Sequence, residues 1–171
     1  MHNSFMVRRI DDLGRVVIPK ELRRRLRIKN GDNLEIAVDD DSIIISKHDF
    51  MSKFKDIYIG IIDSFYKVIN KDILLTNNDI YLYGTGEAGK KVSFKKVARE
   101  ITNIMEKRCD DLVKGSFSLT DGYVFNGSLF ISPFIVHGDI MGAIILASDN
   151  VTDSDIMIMN GISAFICAYI E

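Results

Sequence analysis

The chain has 171 residues, 47% of them hydrophobic, and a formal net charge of −2. That length suits one domain or two small ones, and the apolar share argues against a disordered chain. Cys109 and Cys167 lie far apart with no metal-ligand spacing, which fits a reducing cytoplasm and a fold that needs no disulfide and no metal. The opening Met1-His2-Asn3-Ser4-Phe5 lacks the apolar stretch of a secretory signal. The uncharged run at residues 156–170 is shorter than the roughly 20 residues a membrane span needs.

In chain order, residues 5–10 are expected to form a short strand. Asp11-Asp12-Leu13-Gly14 is a turn in which Gly14 supplies backbone freedom, and Arg15-Val16-Val17-Ile18 is a β-branched second strand. Pro19 stops the ladder and suits the first position of a helix over residues 20–26, with Leu22 and Leu26 on one face. On that wheel Arg24 points away from the leucines, and Arg23 and Arg27 lie to one side. Asn30-Gly31-Asp32 reads as the stop. Residues 34–38 alternate apolar and polar, Asp39-Asp40-Asp41 turns the chain, and residues 42–46 return as a hairpin.

Charge is concentrated in this first part. Between residues 7 and 29 stand Arg8, Arg9, Arg15, Lys20, Arg23, Arg24, Arg25, Arg27 and Lys29, against Asp11, Asp12 and Glu21. The sign then reverses, with Asp32, Glu35, Asp39, Asp40, Asp41 and Asp49 against Lys47. A mixed solvated surface is the ordinary account of such charges. Here the excess is mostly arginine, whose planar fork suits phosphates and base edges, and it recurs at turn and helix positions. A core of four short strands and one short helix is marginal alone, so a homodimer sharing one core is expected, and it doubles the arginines symmetrically.

The dense motif Arg8-Arg9-Ile10-Asp11-Asp12-Leu13-Gly14-Arg15-Val16-Val17-Ile18-Pro19, followed by Glu21-Leu22-Arg23-Arg24, resembles the DNA-binding domain of the AbrB family of transition-state regulators across residues 5–48. The resemblance implies a swapped-hairpin β-barrel formed by an intertwined homodimer. It places Arg8, Arg9, Arg15, Arg23 and Arg24 on a surface facing duplex DNA. It also implies a transcription regulator, activator or repressor, with sporulation genes as targets, because some members carry a C-terminal domain of this size. Arg25 departs from the pattern, where a small polar residue is expected, and adds at most nonspecific phosphate attraction. The competing function within this fold is an antitoxin-like module that binds a protein partner and its own promoter. Such proteins end in an extended tail, whereas this chain continues into an ordered domain.

A boundary is expected near residue 50, dividing residues 1–50 from 51–171. Residues 51–69 have helical apolar spacing at Phe54, Ile57, Ile61, Ile62, Phe65 and Val68. Strands are expected at 73–76 and 80–83, and a helix over 93–107 capped by Ser93. Further strands are expected at 116–119 and 129–136, then the tight turn His137-Gly138-Asp139 and a return over 140–147. A final helix spans 154–169 with Thr152 or Asp153 at its cap. This order resembles a GAF domain, an antiparallel sheet with flanking helices that can enclose a small ligand. Residues 53–69 and 155–169 are apolar on more than one side, so both helices are expected to join subunits, giving a tetramer from two dimers.

Enzymatic signals are weak. Gly84-Thr85-Gly86-Glu87-Ala88-Gly89-Lys90-Lys91 fails the phosphate-loop spacing and is expected to be a mobile loop or a weak ligand lip. His137 reads as a turn residue, and Cys109, beside Lys107 and Arg108, has no base near it in sequence. The sequence thus predicts a two-domain α+β protein: a cytoplasmic, nucleoid-associated DNA-binding regulator, with no catalytic residue, cofactor or metal and no membrane partner.

Overall fold

Strict alternation along three central strands decides how most of the chain packs. The computed structural model describes residues 6–26, 28, 30, 34–47 and 54–170, and the chain divides into two compact units, Met1–Asp49 and Phe50–Glu171.

In the first unit a closed turn spans Asp11 to Arg15. The Gly14 N–H donates to the Asp11 carbonyl at 2.9 Å and the Asp11 N–H to the Arg15 carbonyl at 3.1 Å, with Gly14 at φ +76°. The flanking residues 6–10 and 15–18 are not strands, contrary to the sequence expectation, and Phe5 lies outside the described residues. Their β-branched composition remains, but one chain offers them no ladder to join. Helix α1 (Lys20–Arg25) starts one residue after Pro19, which occupies the cap position rather than the first turn. Leu26 closes it, Ile28 N–H reaches back to the Arg23 carbonyl at 2.8 Å, and the expected stop at Gly31-Asp32 lies outside the described residues. Strands β1 (Leu34–Asp39) and β2 (Ser42–Lys47) pair as an antiparallel hairpin through Asp40-Asp41, Asp40 being left-handed at φ 46°. The register sets Ile36 opposite Ile45 and Val38 opposite Ile43. Among the described residues of this unit only Pro19 is buried.

The second unit begins with α2 (Lys55–Ile69); residues 51–53, expected in that helix, lie outside the described residues. Then come β3 (Asp72–Asn77), β4 (Tyr81–Gly84), α3 (Gly86–Val92), α4 (Arg99–Met105), β5 (Asp111–Thr120), β6 (Tyr123–Val136), β7 (Asp139–Ser148) and α5 (Asp153–Ile170). The strands form one antiparallel sheet ordered β4-β3-β7-β6-β5. Ile73, Leu75, Phe130, Phe134, Ile144 and Leu146 face α2 and α5, where they meet Tyr58, Ile62, Met159, Ile162 and Ile166. The intervening Leu74, Leu129, Ile131, Ala143, Ile145 and Ala147 face α3 and α4, against Ala88, Val92, Ile101, Ile104 and Met105. Each fully buried branched or aromatic side chain here is worth about 1.5–3 kcal/mol. Two polar ties cross the α2–α5 face. The Ser132 hydroxyl donates to the Ser163 hydroxyl at 2.9 Å, and the Tyr83 hydroxyl donates to the Asp63 carboxylate at 2.6 Å. Burial and that negative partner push the Tyr83 hydroxyl up to about 12.

Sequence expectations also fail in this unit. No helix spans 93–107. Ser93 ends α3, its hydroxyl donating to the Gly89 carbonyl at 2.7 Å; Phe94 then turns left-handed at φ 63°, and α4 starts only at Arg99. Strands β5 and β6 are also far longer than the expected 116–119 and 129–136. The middle of their ladder pairs Lys114 with Ser128, Gly115 with Gly127 and Ser116 with Asn126, which carry no apolar alternation to read. The expected turn is present: Val136 pairs with Asp139, and His137 and Gly138 both have positive φ, as a two-residue hairpin of primed type requires.

Thr152 caps α5 reciprocally with Asp155. The Asp155 N–H meets Thr152 Oγ1 at 3.3 Å, and the Thr152 N–H donates to Asp155 Oδ2 at 2.7 Å. Lys71 Nζ adds an ion pair to the same oxygen at 2.6 Å. Burial acts to raise the Asp155 carboxyl, but bonds from Lys71 and Thr152 outweigh it and hold the group below its ordinary value. A depressed carboxyl contributes stability above its unfolded pKa and loses it as pH falls through the folded one. Asp155→Ala is therefore expected to cost about 2–4 kcal/mol at neutral pH, and the gap to the unaltered protein should narrow below the ordinary carboxylate range. Urea unfolding at both pH values checks this; a gap independent of pH would refute it.

Candidate nucleic-acid interface

The arginines of the first unit are held by backbone turns rather than by a core. The Asp11 carboxylate is the hub of the 11–15 turn. Its Oδ1 accepts the Leu13 N–H at 3.0 Å and the Arg15 N–H at 2.8 Å, while its Oδ2 accepts Arg15 Nε at 2.7 Å. The backbone N–H of Arg15, then its side chain, hold the Asp11 carboxyl below its ordinary value. The bond leaves the two terminal nitrogens of Arg15 without a described partner, on a side chain that is 71% exposed. Asp11 thus orients Arg15. By sequence Asp11 stands as a turn residue and an opposing charge, and its i,i+4 spacing to Arg15 across Gly14 is the available signal for the bond between them.

Arg8 and Arg9 stand exposed on the arm before that turn, where Arg8 Nη1 lies 3.3 Å from the Val7 carbonyl. Arg23 is half-buried, donates from Nη1 to Asn30 Oδ1 at 3.0 Å, and has a buried Nε with no partner. Arg24 and Arg25 are exposed on α1. All three sit in its last turn, where the carbonyl end of the helix favours cations. The side chains of Arg9, Arg24 and Arg25 make no ion pair or hydrogen bond with another described residue. Arg27 and Lys29 lie outside the described residues.

Beside these charges runs an open apolar trough of about 440 Å³, lined by Val16, Val17, Leu22, Leu26, Ile43 and Ile45 among others, with Arg8 also on its wall. Val7, Val17, Val38 and Ile43 are each more than two-thirds exposed. A monomer rarely leaves so many branched side chains in water within one small unit.

The glycine-rich segment of the second unit is no loop: residues 86–92 are α3. The helix N-terminus is occupied by an internal anion, because Asp72 Oδ2 accepts the Ala88 N–H at 2.7 Å. Burial pushes the Asp72 carboxyl above its ordinary value despite the N–H groups of Ala88 and Glu87. A Cβ on Gly86 would stand 1.6 Å from Asp72 Oδ1, and one on Gly89 would stand 2.1 Å from the Gly84 carbonyl carbon. These glycines serve close packing. Gly89→Ala should lower the stability of this unit by about 1–3 kcal/mol or more, whereas Gly60→Ala, on an open face of α2, should raise it by about 0.5–1 kcal/mol. Thermal melts of the two variants should move in opposite directions; a neutral Gly89→Ala would contradict the packing account.

His137 is an exposed turn residue, and the Gly138 carbonyl accepts a bond from Arg108. Cys109 is exposed. Among the described residues no helix is long and apolar enough to cross a membrane.

Comparison with known proteins decides the family. Residues 51–169 match the family model described as stage V sporulation protein T C-terminal, transcription factor. Over 163 residues the chain is 34% identical to stage V sporulation protein T of Bacillus subtilis, covering 91% of this chain and 90% of that protein. The chain belongs to the stage V sporulation protein T family. The N-terminal part is of AbrB type: it is 56% identical over 48 residues to the transition state regulatory protein AbrB of Bacillus subtilis, 28% of this chain and 50% of that one. Residues 7–50 also match a model described as antidote-toxin recognition MazE, bacterial antitoxin. The second unit is similar in fold to the GAF domain of an Acinetobacter phosphoenolpyruvate-protein phosphotransferase. The TM-score is 0.52 at 8% identity, over 70% of this chain and 91% of that one. For this sporulation-protein family member the fold is therefore a GAF-like antiparallel sheet with flanking helices behind an AbrB-type N-terminal domain.

Proposed function

We propose that the chain is a DNA-binding transcription regulator of sporulation genes, acting in the cytoplasm on the nucleoid. Residues 1–50 would bind DNA and 51–171 assemble the protein. Two N-terminal units would interleave into a swapped-hairpin β-barrel, each supplying the strand partners that residues 6–10 and 15–18 lack in one chain. The observation carrying this reading is the apolar trough of Val16, Leu22, Leu26, Ile43 and Ile45 lying open beside unneutralised arginines. Covering the trough with a second copy would fix Arg8, Arg9, Arg15, Arg23 and Arg24 of both chains on one surface, with phosphate contacts setting register and groove shape contributing specificity.

DNA binding should fall steeply with salt, because each neutralised phosphate releases counterions. Arg9→Ala with Arg24→Ala, both at exposed positions, should flatten the slope by about one for each phosphate left unneutralised and keep the oligomer intact. Fluorescence anisotropy over a salt series checks it; an unchanged slope would remove these residues from the interface. The match of residues 7–50 to an antitoxin model favours a second reading, a protein-binding module. Shallow DNA binding together with a stable heterocomplex would select that reading.

The C-terminal unit is assigned assembly. The outer side of α5 exposes Met157, Gly161, Ala164, Phe165 and Ala168, and residues 156–170 carry no charge. A second copy of α5, with α2 beside it, would cover that side and join two dimers into a tetramer. A small ligand entering between the sheet and α3–α4 would have to displace Tyr81, which is fully buried with its hydroxyl donating to the Leu119 carbonyl at 2.9 Å. Ile162 is 1% exposed, so a charge there tests the core instead of the interface. Ala164→Arg is the clean test. It should halve the particle mass in light scattering while leaving the melting temperature nearly unchanged; an unchanged mass would refute assembly through α5.

A further inference from the structure

A second concentration of charge lies in the C-terminal unit, away from the outer side of α5. The segment Lys90-Lys91-Val92-Ser93-Phe94-Lys95-Lys96-Val97-Ala98-Arg99 holds five cations in ten residues and no carboxylate. Val92 and Val97 are buried and anchor it, while every cation is exposed. Its backbone is clamped to the sheet. The Phe94 N–H donates to the Tyr81 carbonyl at 2.8 Å, the Tyr81 N–H to the Lys95 carbonyl at 2.9 Å, and the Val97 N–H to the Asp79 carbonyl at 2.9 Å, while Lys96 bridges Ile80. None of the five cations forms an ion pair with another described residue; Lys90 alone lies within electrostatic reach of Asp72.

A run of exposed lysines is usually a solvated face. That account leaves Phe94 unexplained. It is 68% exposed and left-handed at φ 63°, a conformation that asparagine or glycine adopts with far less strain. Lys55 Nζ sits 5.3 Å from its ring centroid, adding a further cation to the platform. Strained, exposed aromatics held by well-bonded backbone cluster at working surfaces.

We propose that this platform is a second contact for the sugar–phosphate backbone of duplex DNA, in which Lys91, Lys95 and Lys96 neutralise phosphates and Phe94 lies against the sugars. The proposal rests on the DNA-binding reading of the first unit. Duplex DNA is favoured over an acidic protein because both basic surfaces belong to one chain. Once the arginines hold a duplex, the platform meets phosphates at a high effective concentration without needing strong affinity of its own.

The test uses the full chain on a labelled mixed-sequence duplex across a salt series. It compares the unaltered protein, Lys91→Gln/Lys95→Gln/Lys96→Gln, Phe94→Asn and Arg9→Ala/Arg24→Ala. The lysine variant is expected to bind about tenfold more weakly at low salt, with its slope reduced by about one for each lysine that meets a phosphate. Phe94→Asn keeps the left-handed turn and should weaken binding without changing the slope. If the lysine variant matches the unaltered protein in affinity and slope while the arginine variant loses binding, the platform is refuted and the regulator reading stands. If the unaltered protein binds no duplex, both fall together. Circular dichroism melts of all variants confirm that the fold is kept, which exposed lysines should not disturb.

Discussion

An apolar surface that one chain leaves in water is the constraint on which the N-terminal half depends. A hairpin and a helix of less than two turns offer too little area to bury Val16, Val17, Ile36, Val38, Ile43 and Ile45 against one another, and all of them are exposed. Each would gain about 1.5–3 kcal/mol from full burial, a sum comparable with the whole stability of a small domain. Pairing with another copy, as proposed, would supply that burial and also determine where the arginines stand. In such a dimer oligomerisation and charge presentation would be one event.

The C-terminal half meets the same problem by a different route. Its sheet is covered on both faces within the chain, and the two side-chain sets alternate residue by residue along β3, β6 and β7. One side of α5 remains uncovered, while its inner side is already committed to the sheet through Met159, Ile162 and Ile166. Surplus apolar surface therefore occurs in both units, at an unpaired strand region in one and on a helix in the other.

Much of this is legible in the sequence where the signal is local. The hairpins at Asp40-Asp41 and His137-Gly138 follow from turn chemistry, and α2 and α5 follow from their spacing. The failures share a physical cause: the decisive partner lies far away in sequence. Helix α3 depends on the Asp72 carboxylate at its N-terminus and on the close approach of Gly84 to Gly89, and neither leaves a periodic trace. The middle of the β5–β6 ladder is polar, from Lys114–Ser128 to Ser116–Asn126, so pairing there shows in register and not in hydropathy. Residues 15–18 have the composition of a strand, but composition does not say which molecule supplies the neighbour. At the candidate interface the arginines are visible as charge, whereas the role of Asp11 in orienting Arg15 needs the folded turn.

The two-sided sheet also divides the C-terminal unit thermodynamically. Leu74 and Ile73 are chain neighbours, yet they belong to separate clusters on opposite faces. Energies of substitutions across the sheet should then be nearly additive, while those within one face should couple. Any signal arising under α3 and α4 could reach the outer side of α5 only by shifting the backbones of β3, β6 or β7. The sheet is thus both partition and conduit, and the stiffness of those three strands sets how much one face can sense of the other.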